Sequence, residues 1–127
     1  MPTTRSSWIW VDMSPANSVA NLTQSVCKPV PAAGTIKKVR VGQLLKGAAG
    51  SGIFVLSKSG VNILSAASTD LYADYATAAV AQDLVLTTKD SSLKVATTDT
   101  LNALYTLTTC AITSAIGVYV AIEPDLW

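Results

Sequence analysis

Three sets of residues in this chain have types and spacings that could do chemistry. Asp70 and Asp74 stand one turn apart if their segment is helical, and paired acids can act on a glycosidic bond. The glycines of GQLLKGAAGSG (Gly42, Gly47, Gly50 and Gly52) could be read as a phosphate-cradling loop. Trp8, Trp10, Tyr72, Tyr75, Tyr105, Tyr119 and Trp127 could present flat rings to sugars. The first two sets fail on inspection. The chain has no histidine, which removes the commonest general base and any Ser-His-Asp arrangement. Two carboxylates beside an N-cap read as capping and solvation. The glycines do not match GxxxxGK[ST], nor do they join a strand to an opening helix. They read as a loop between strands. No catalytic residue and no cofactor-binding residue is therefore expected, and the chain is read as not an enzyme. Its two cysteines, Cys27 and Cys110, form no CxxC, so no metal site is expected either. Both are read as small, buried or half-buried thiols.

Composition narrows the classes further. The 127 residues are 50% hydrophobic but only 13% charged, against roughly 25% in ordinary soluble domains. Thr, Ser and Ala stand where charge would be. Copies of such a surface repel one another weakly, which favours association. A net charge of +1 gives no electrostatic case for nucleic acid. Lys37, Lys38 and Arg40 do cluster, but on an expected strand, where they read as a solvated edge or an interface face. The leading MPTTRSSWIW lacks the apolar core of a signal peptide, so synthesis in the cytoplasm without a leader is expected.

The elements that must position these residues are mostly strands. Residues 1–34 read as an extended N-terminal arm or edge segment. In it Trp8 and Trp10 share one face of SSWIWVDM, and Ile9 and Val11 share the other. The two prolines of VCKPVPAAG exclude a central strand there. Residues 35–127 read as a β-sandwich domain. TIKKVRVG, GIFVLSKSGVNIL and DLVLTTKDSSLKVATT carry short apolar runs, with turn signals at Lys58-Ser59-Gly60 and Lys89-Asp90-Ser91-Ser92. STDLYADYATAAVAQDL spaces Leu71, Tyr75, Ala78 and Ala79 as a helix would. A short helix over about residues 69–81 is expected, with Ser68 or Thr69 as N-cap; an Ala-rich loop ending in a strand fits the same residues. Several short strands at roughly 8–12-residue spacing predict an all-β fold, a sandwich or jelly roll of short antiparallel strands.

From Thr100 to Ile122 there is no charged residue, and a membrane span needs about 20 apolar ones. The polar residues Asn102, Thr106 and Thr108 nevertheless keep a period of two, which half-buried strands require and a spanning helix does not. The stretch is read as two strands paired around a turn near Thr109–Ser114, with no membrane partner. The ring-bearing residues are read mainly as anchors: Tyr105 and Tyr119 as cross-strand packing partners, and the tryptophans as docking points at the chain ends. Trp8, Trp10, Ile9, Val11, Tyr119, Leu126 and Trp127 are the expected interface with other subunits. Tyr72 and Tyr75 are the candidates for glycan stacking under the alternative function below.

VPAAGTIKKVRVG, SLKVATTDTLNALYTLTT and the terminal GVYVAIEPDLW resemble small virion structural proteins of tailed bacteriophages, and most of all capsid decoration (cement) proteins. The resemblance implies a β-rich domain, a homotrimer, bound to the major capsid protein on the outside of the shell and clamping coat subunits together. It implies a virion location and no small-molecule substrate. The alternative function is a carbohydrate- or receptor-binding sandwich module of a phage tail or fibre.

Overall fold

The computed structural model describes residues 8–15, 22–43, 51–71, 81–108 and 116–125. Ten strands and one helical turn run through them: β1 (Ile9–Asp12), β2 (Leu22–Pro29), β3 (Gly34–Gln43), β4 (Ser51–Lys58), β5 (Val61–Asn62), β6 (Thr69–Asp70), β7 (Gln82–Asp83), α1 (Asp90–Leu93), β8 (Lys94–Val95), β9 (Thr100–Thr108) and β10 (Ile116–Pro124). The first sheet has the order β1-β10-β3, with β7 and β8 both along the far edge of β3; the second has the order β2-β9-β4, with β5 and β6 both along the far edge of β4. Every pairing is antiparallel. If each two-piece edge counts as one interrupted strand, the chain crosses between sheets after β1, β2, β3, β6, β8 and β9. That double-wound path is a jelly roll.

The inward faces meet in one core. Ile36, Val39, Val41, Val118, Val120 and Ile122 come from the first sheet, and Phe54, Leu56, Leu101, Ala103 and Tyr105 from the second. The period of two seen in LNALYTLTT holds: Leu101, Ala103 and Tyr105 are buried, whereas Leu104, which breaks the apolar alternation, points out and is exposed. The spacing of three between Ile36 and Val39 has a physical cause. The register of β3 against β10 shifts between Ala121 and Ile122, so Lys37 is an extra, bulged residue. The bulge lets Ile36 and Val39 both face inward.

One turn and two ties between the sheets set the sandwich's shape. Ser59 and Gly60 both have positive φ, +46° and +87°, as a two-residue hairpin turn between β4 and β5 requires. Asp99 braces it: Ser59 Oγ donates to Asp99 Oδ1 at 2.9 Å, and the Thr100 amide donates to Ser59 Oγ at 3.3 Å. On the flank beyond β5 and β7 the two sheets are tied together. Ser65 N–H donates to Val85 O, Thr87 N–H donates to Ile63 O, and Leu64 bridges Leu86. Between β1 and the second sheet the tie is Tyr105, whose buried hydroxyl donates to the Met13 carbonyl. Burial, and secondarily the charge of Asp12, push that phenol far above its ordinary pKa, so it remains a donor.

Several expectations need correction. The helix expected over about residues 69–81 starts later than its first two residues: Thr69 and Asp70 form β6 against Phe54 and Ile53, and Leu71 directly after them is helical. Asp70 Oδ1 accepts the Gly52 amide at 3.1 Å. The open edge of β4 supplies the backbone partners that draw these two residues into the sheet. Residues 72–80 lie outside the described residues. The helical turn α1 falls where a turn was expected. β9 and β10 occupy different sheets and do not pair with each other. Tyr105 and Tyr119 are accordingly not packing partners; Tyr105 instead meets Phe54, with ring centroids 5.0 Å apart. Among the described residues no helix is long and apolar enough to cross a membrane.

A Cβ added to Gly34 would lie 2.2 Å from the Glu123 carbonyl oxygen, whereas one on Gly42 would meet nothing within 4 Å. Gly34→Ala is therefore expected to destabilise by about 1–3 kcal/mol through overpacking. Gly42→Ala should be neutral or stabilising by less than about 1 kcal/mol. Tyr105→Phe should cost about 1–3 kcal/mol, because the Met13 carbonyl is left buried without its donor. Chemical denaturation of the three variants checks all of these values.

Candidate functional site

The outward face of the first sheet gathers rings and charges. Alternation along β1 sends Trp10 and Asp12 outward, with Trp8 just before the strand, and turns Val11 toward the core. Alternation along β10 sends Tyr119, Ala121 and Glu123 outward; on β3, Lys38 and Arg40 point outward and the bulge adds Lys37. Register then assembles rows across the strands. Trp10 lies opposite Ala121, and Ala121 opposite Lys38; Asp12, Tyr119, Arg40 and Asp83 form the next row. Ala121 is outward yet has no exposed surface, since the larger Trp10 and Lys38 flank it on both sides.

The charges are bound up with the rings. The Arg40 guanidinium lies 5.6 Å from the Trp10 ring centroid, and Lys38 Nζ lies 5.9 Å from that of Trp8. Each is within cation–π range. Arg40 Nε donates to Asp83 Oδ1 at 2.9 Å, and Lys38 Nζ stands 3.5 Å from Asp83 Oδ2. Trp8 Nε1 donates to Glu123 Oε2 at 3.2 Å, and Lys37 is a looser neighbour of that carboxylate at 4.0 Å. The hydrogen bond from Arg40, then the charges of Arg40 and Lys38, hold the Asp83 carboxyl below its usual pKa. Asp12, lowered chiefly by its hydrogen bonds from Ser14, ends the face on one side.

Of this network Trp10 and Tyr119 keep the most apolar surface in water, each 42% exposed. Beside Tyr119, Gly117 and Gly42 face each other across the strands, leaving a stretch of bare backbone. The face therefore offers two amphipathic rings on a rigid ladder, each with preset polar neighbours. No nucleophile–base pair stands among them, and among the described residues no three His, Cys, Asp or Glu gather to hold a metal.

Of the expected interface residues, the structure brings Trp8, Trp10 and Tyr119 onto one face. Ile9 and Val11 sit on the opposite side of β1, and Val11 packs on the core. Leu126 and Trp127 lie outside the described residues, as do Tyr72, Tyr75, Asp74 and Cys110. Cys27, expected buried or half-buried, is an exposed thiol on the outward face of the second sheet. Outward residues of an edge strand have no second sheet over them. The parts played by Lys38, Arg40, Asp83 and Glu123 were missed. The odd spacing of Ile36-Lys37-Lys38-Val39 was the available signal, but only the strand order places those charges beside the tryptophans. No family model, curated protein or solved structure matches the chain.

The lowered pKa of Asp83 has a definite sign. Its pair with Arg40 stabilises the fold above the ordinary carboxylate value of about 4, and that contribution fades as pH falls through the lower folded value. A double-mutant cycle on Arg40→Ala and Asp83→Asn should show a small favourable coupling at pH 7. The coupling should shrink in high salt, because both groups are exposed, and weaken progressively as pH falls below about 4.

Proposed function

We propose that the protein is a non-enzymatic structural subunit of a virion, a capsid decoration protein that seats the outward face of its first sheet on the major capsid protein. One observation carries the reading: Trp10 and Tyr119 are held in water on a rigid sheet when a monomer gains nothing by exposing them. Rings carried on a strand, as these are, with Trp10 also held by the Arg40 guanidinium, lose little entropy on docking and commonly dominate binding energy. The jelly-roll frame suits the role, since antiparallel ladders keep the face stiff. Arg40 and Lys38 are already oriented by Asp83, so they can exchange partners at a polar rim without first being ordered. The location that follows is the virion surface.

A second reading is favoured by the same rings. A carbohydrate- or receptor-binding module also presents aromatic faces flanked by hydrogen-bonding side chains.

The two readings separate in one experiment. Purified protein is sedimented with coat shells that lack it, and in parallel applied to a glycan array. Co-sedimentation is expected, weakened at least about 30-fold by Trp10→Ala with Tyr119→Ala, in line with loss of a strong hot spot. The far-UV circular dichroism of that variant should be unchanged. Glycan binding abolished by the same substitutions, without shell binding, would replace the decoration reading with the alternative.

A further inference from the structure

The sandwich's two flanks are unequal. The flank beyond β5 and β7 is closed by the ties between residues 63–65 and 85–87. On the other flank β2 ends the second sheet, and among the described residues it pairs only with β9. Its eight residues keep an unbroken register with β9, from Leu22 opposite Leu107 to Pro29 opposite Thr100. Every other outer strand is short: four residues in β1, and two each in β5, β6, β7 and β8. Proteins usually blunt long edges with charge, proline or bulges. Leu22–Cys27 carries no charge, no proline and no bulge.

The direction of the free backbone groups can be worked out. The Val30 amide donates to Asp99 O at 3.2 Å, continuing the β2–β9 register by one step. Hydrogen-bonded residues alternate along an antiparallel ladder, so Lys28, Val26, Gln24 and Leu22 bond toward β9. Thr23, Ser25, Cys27 and Pro29 therefore aim their backbone groups away from it. Pro29 has no N–H, so the missing donor falls on the open side and stops that edge at residue 28.

We propose that two copies of the chain pair through β2, antiparallel, about a twofold axis at Ser25, and so continue the second sheet from one copy into the other. In this register Ser25 faces Ser25 of the second copy, and Thr23 faces its Cys27. Each such pair exchanges both backbone bonds, about six in all, and every outward amide between residues 23 and 27 is used. Sliding by two residues toward the proline sets Thr23 against Pro29 and loses a donor. Sliding the other way sets Thr23 against Ser25 and leaves Cys27 outside the shared segment. Charge agrees with the central register. Each Lys28 faces Leu22, so the two lysines stand roughly 20 Å apart along the strands, well beyond the screening length of about 8 Å. The pairing is isologous and closes on itself, which is twofold where the resemblance implied threefold. It leaves the ring-bearing face of the first sheet free and does not depend on that face's partner.

The test is sedimentation equilibrium with cross-linking of the full chain. The unaltered protein should be a dimer. Ser25→Lys sets like charges against each other on an exposed position and should weaken the dimer at least tenfold, with the melting curve of the monomer retained. Ser25→Cys in a Cys27→Ser background should give a disulfide-linked dimer under mild oxidation, since Cα atoms of facing bonded residues stand about 5.5 Å apart and bridging tolerates about 4.4–6.8 Å. A monomer at every concentration would overturn the proposal. So would a dimer or trimer that is indifferent to Ser25→Lys and fails to cross-link at residue 25.

Discussion

The ladder between β10 and β3 governs the rest of the molecule. Its inward side supplies Val118, Val120, Ile122, Ile36, Val39 and Val41 to the core. Its outward side supplies Tyr119, Ala121, Glu123, Lys38 and Arg40 to the candidate site. Side chains alternate across a strand, so a slip of one residue would exchange these two sets. The bulge at Lys37 prevents that by absorbing the one residue by which the apolar spacing of β3 departs from two. Core and site are thus two readings of one register, and a change that shifts it would spoil both together.

The two outward faces have opposite characters, although the sheets are laid out alike. On the first, rings, cations and carboxylates bind one another. On the second, rows such as Ser25, Leu104 and Val55, or Cys27, Asn102 and Ser57, are neutral throughout. The low charge content of the chain is therefore unevenly spent. On the second sheet the charge of Asp70 sits at the far edge, opposite Ile53, so the β2 edge can be extended without charges meeting.

Much of the fold could be read from local pattern. The alternation in LNALYTLTT and GVYVAI set the inward residues of β9 and β10, and Ser59-Gly60 marked its hairpin, because a period of two and a positive-φ turn are written in consecutive residues. Strand order is not written there. That β9 and β10 part into different sheets depends on pairings made far along the chain. So does the placing of Arg40 over Trp10, which requires β10 to lie between β1 and β3. The start of the helix expected near residue 69 shows the same limit: Leu71 is helical, but Thr69 and Asp70 before it are held by a nonlocal partner, the edge of β4. The exposure of Cys27 likewise follows from β2 being an outer strand, which its own residues do not state beyond Pro29.

The Tyr105 hydroxyl reaches the Met13 carbonyl across 92 positions of sequence, and β1 has no partner in its sheet until β10 arrives. Such long closures are slow steps in folding. They also impose an order on biosynthesis, which runs at about 5–20 residues per second. While the chain is being made, the tryptophans of the first strand emerge early and wait for the last strand to give them a floor. A chain halted before β10 carries Trp8, Trp10, Lys38 and Arg40 but cannot bring them together, so the ring-bearing face exists only once that strand is in place.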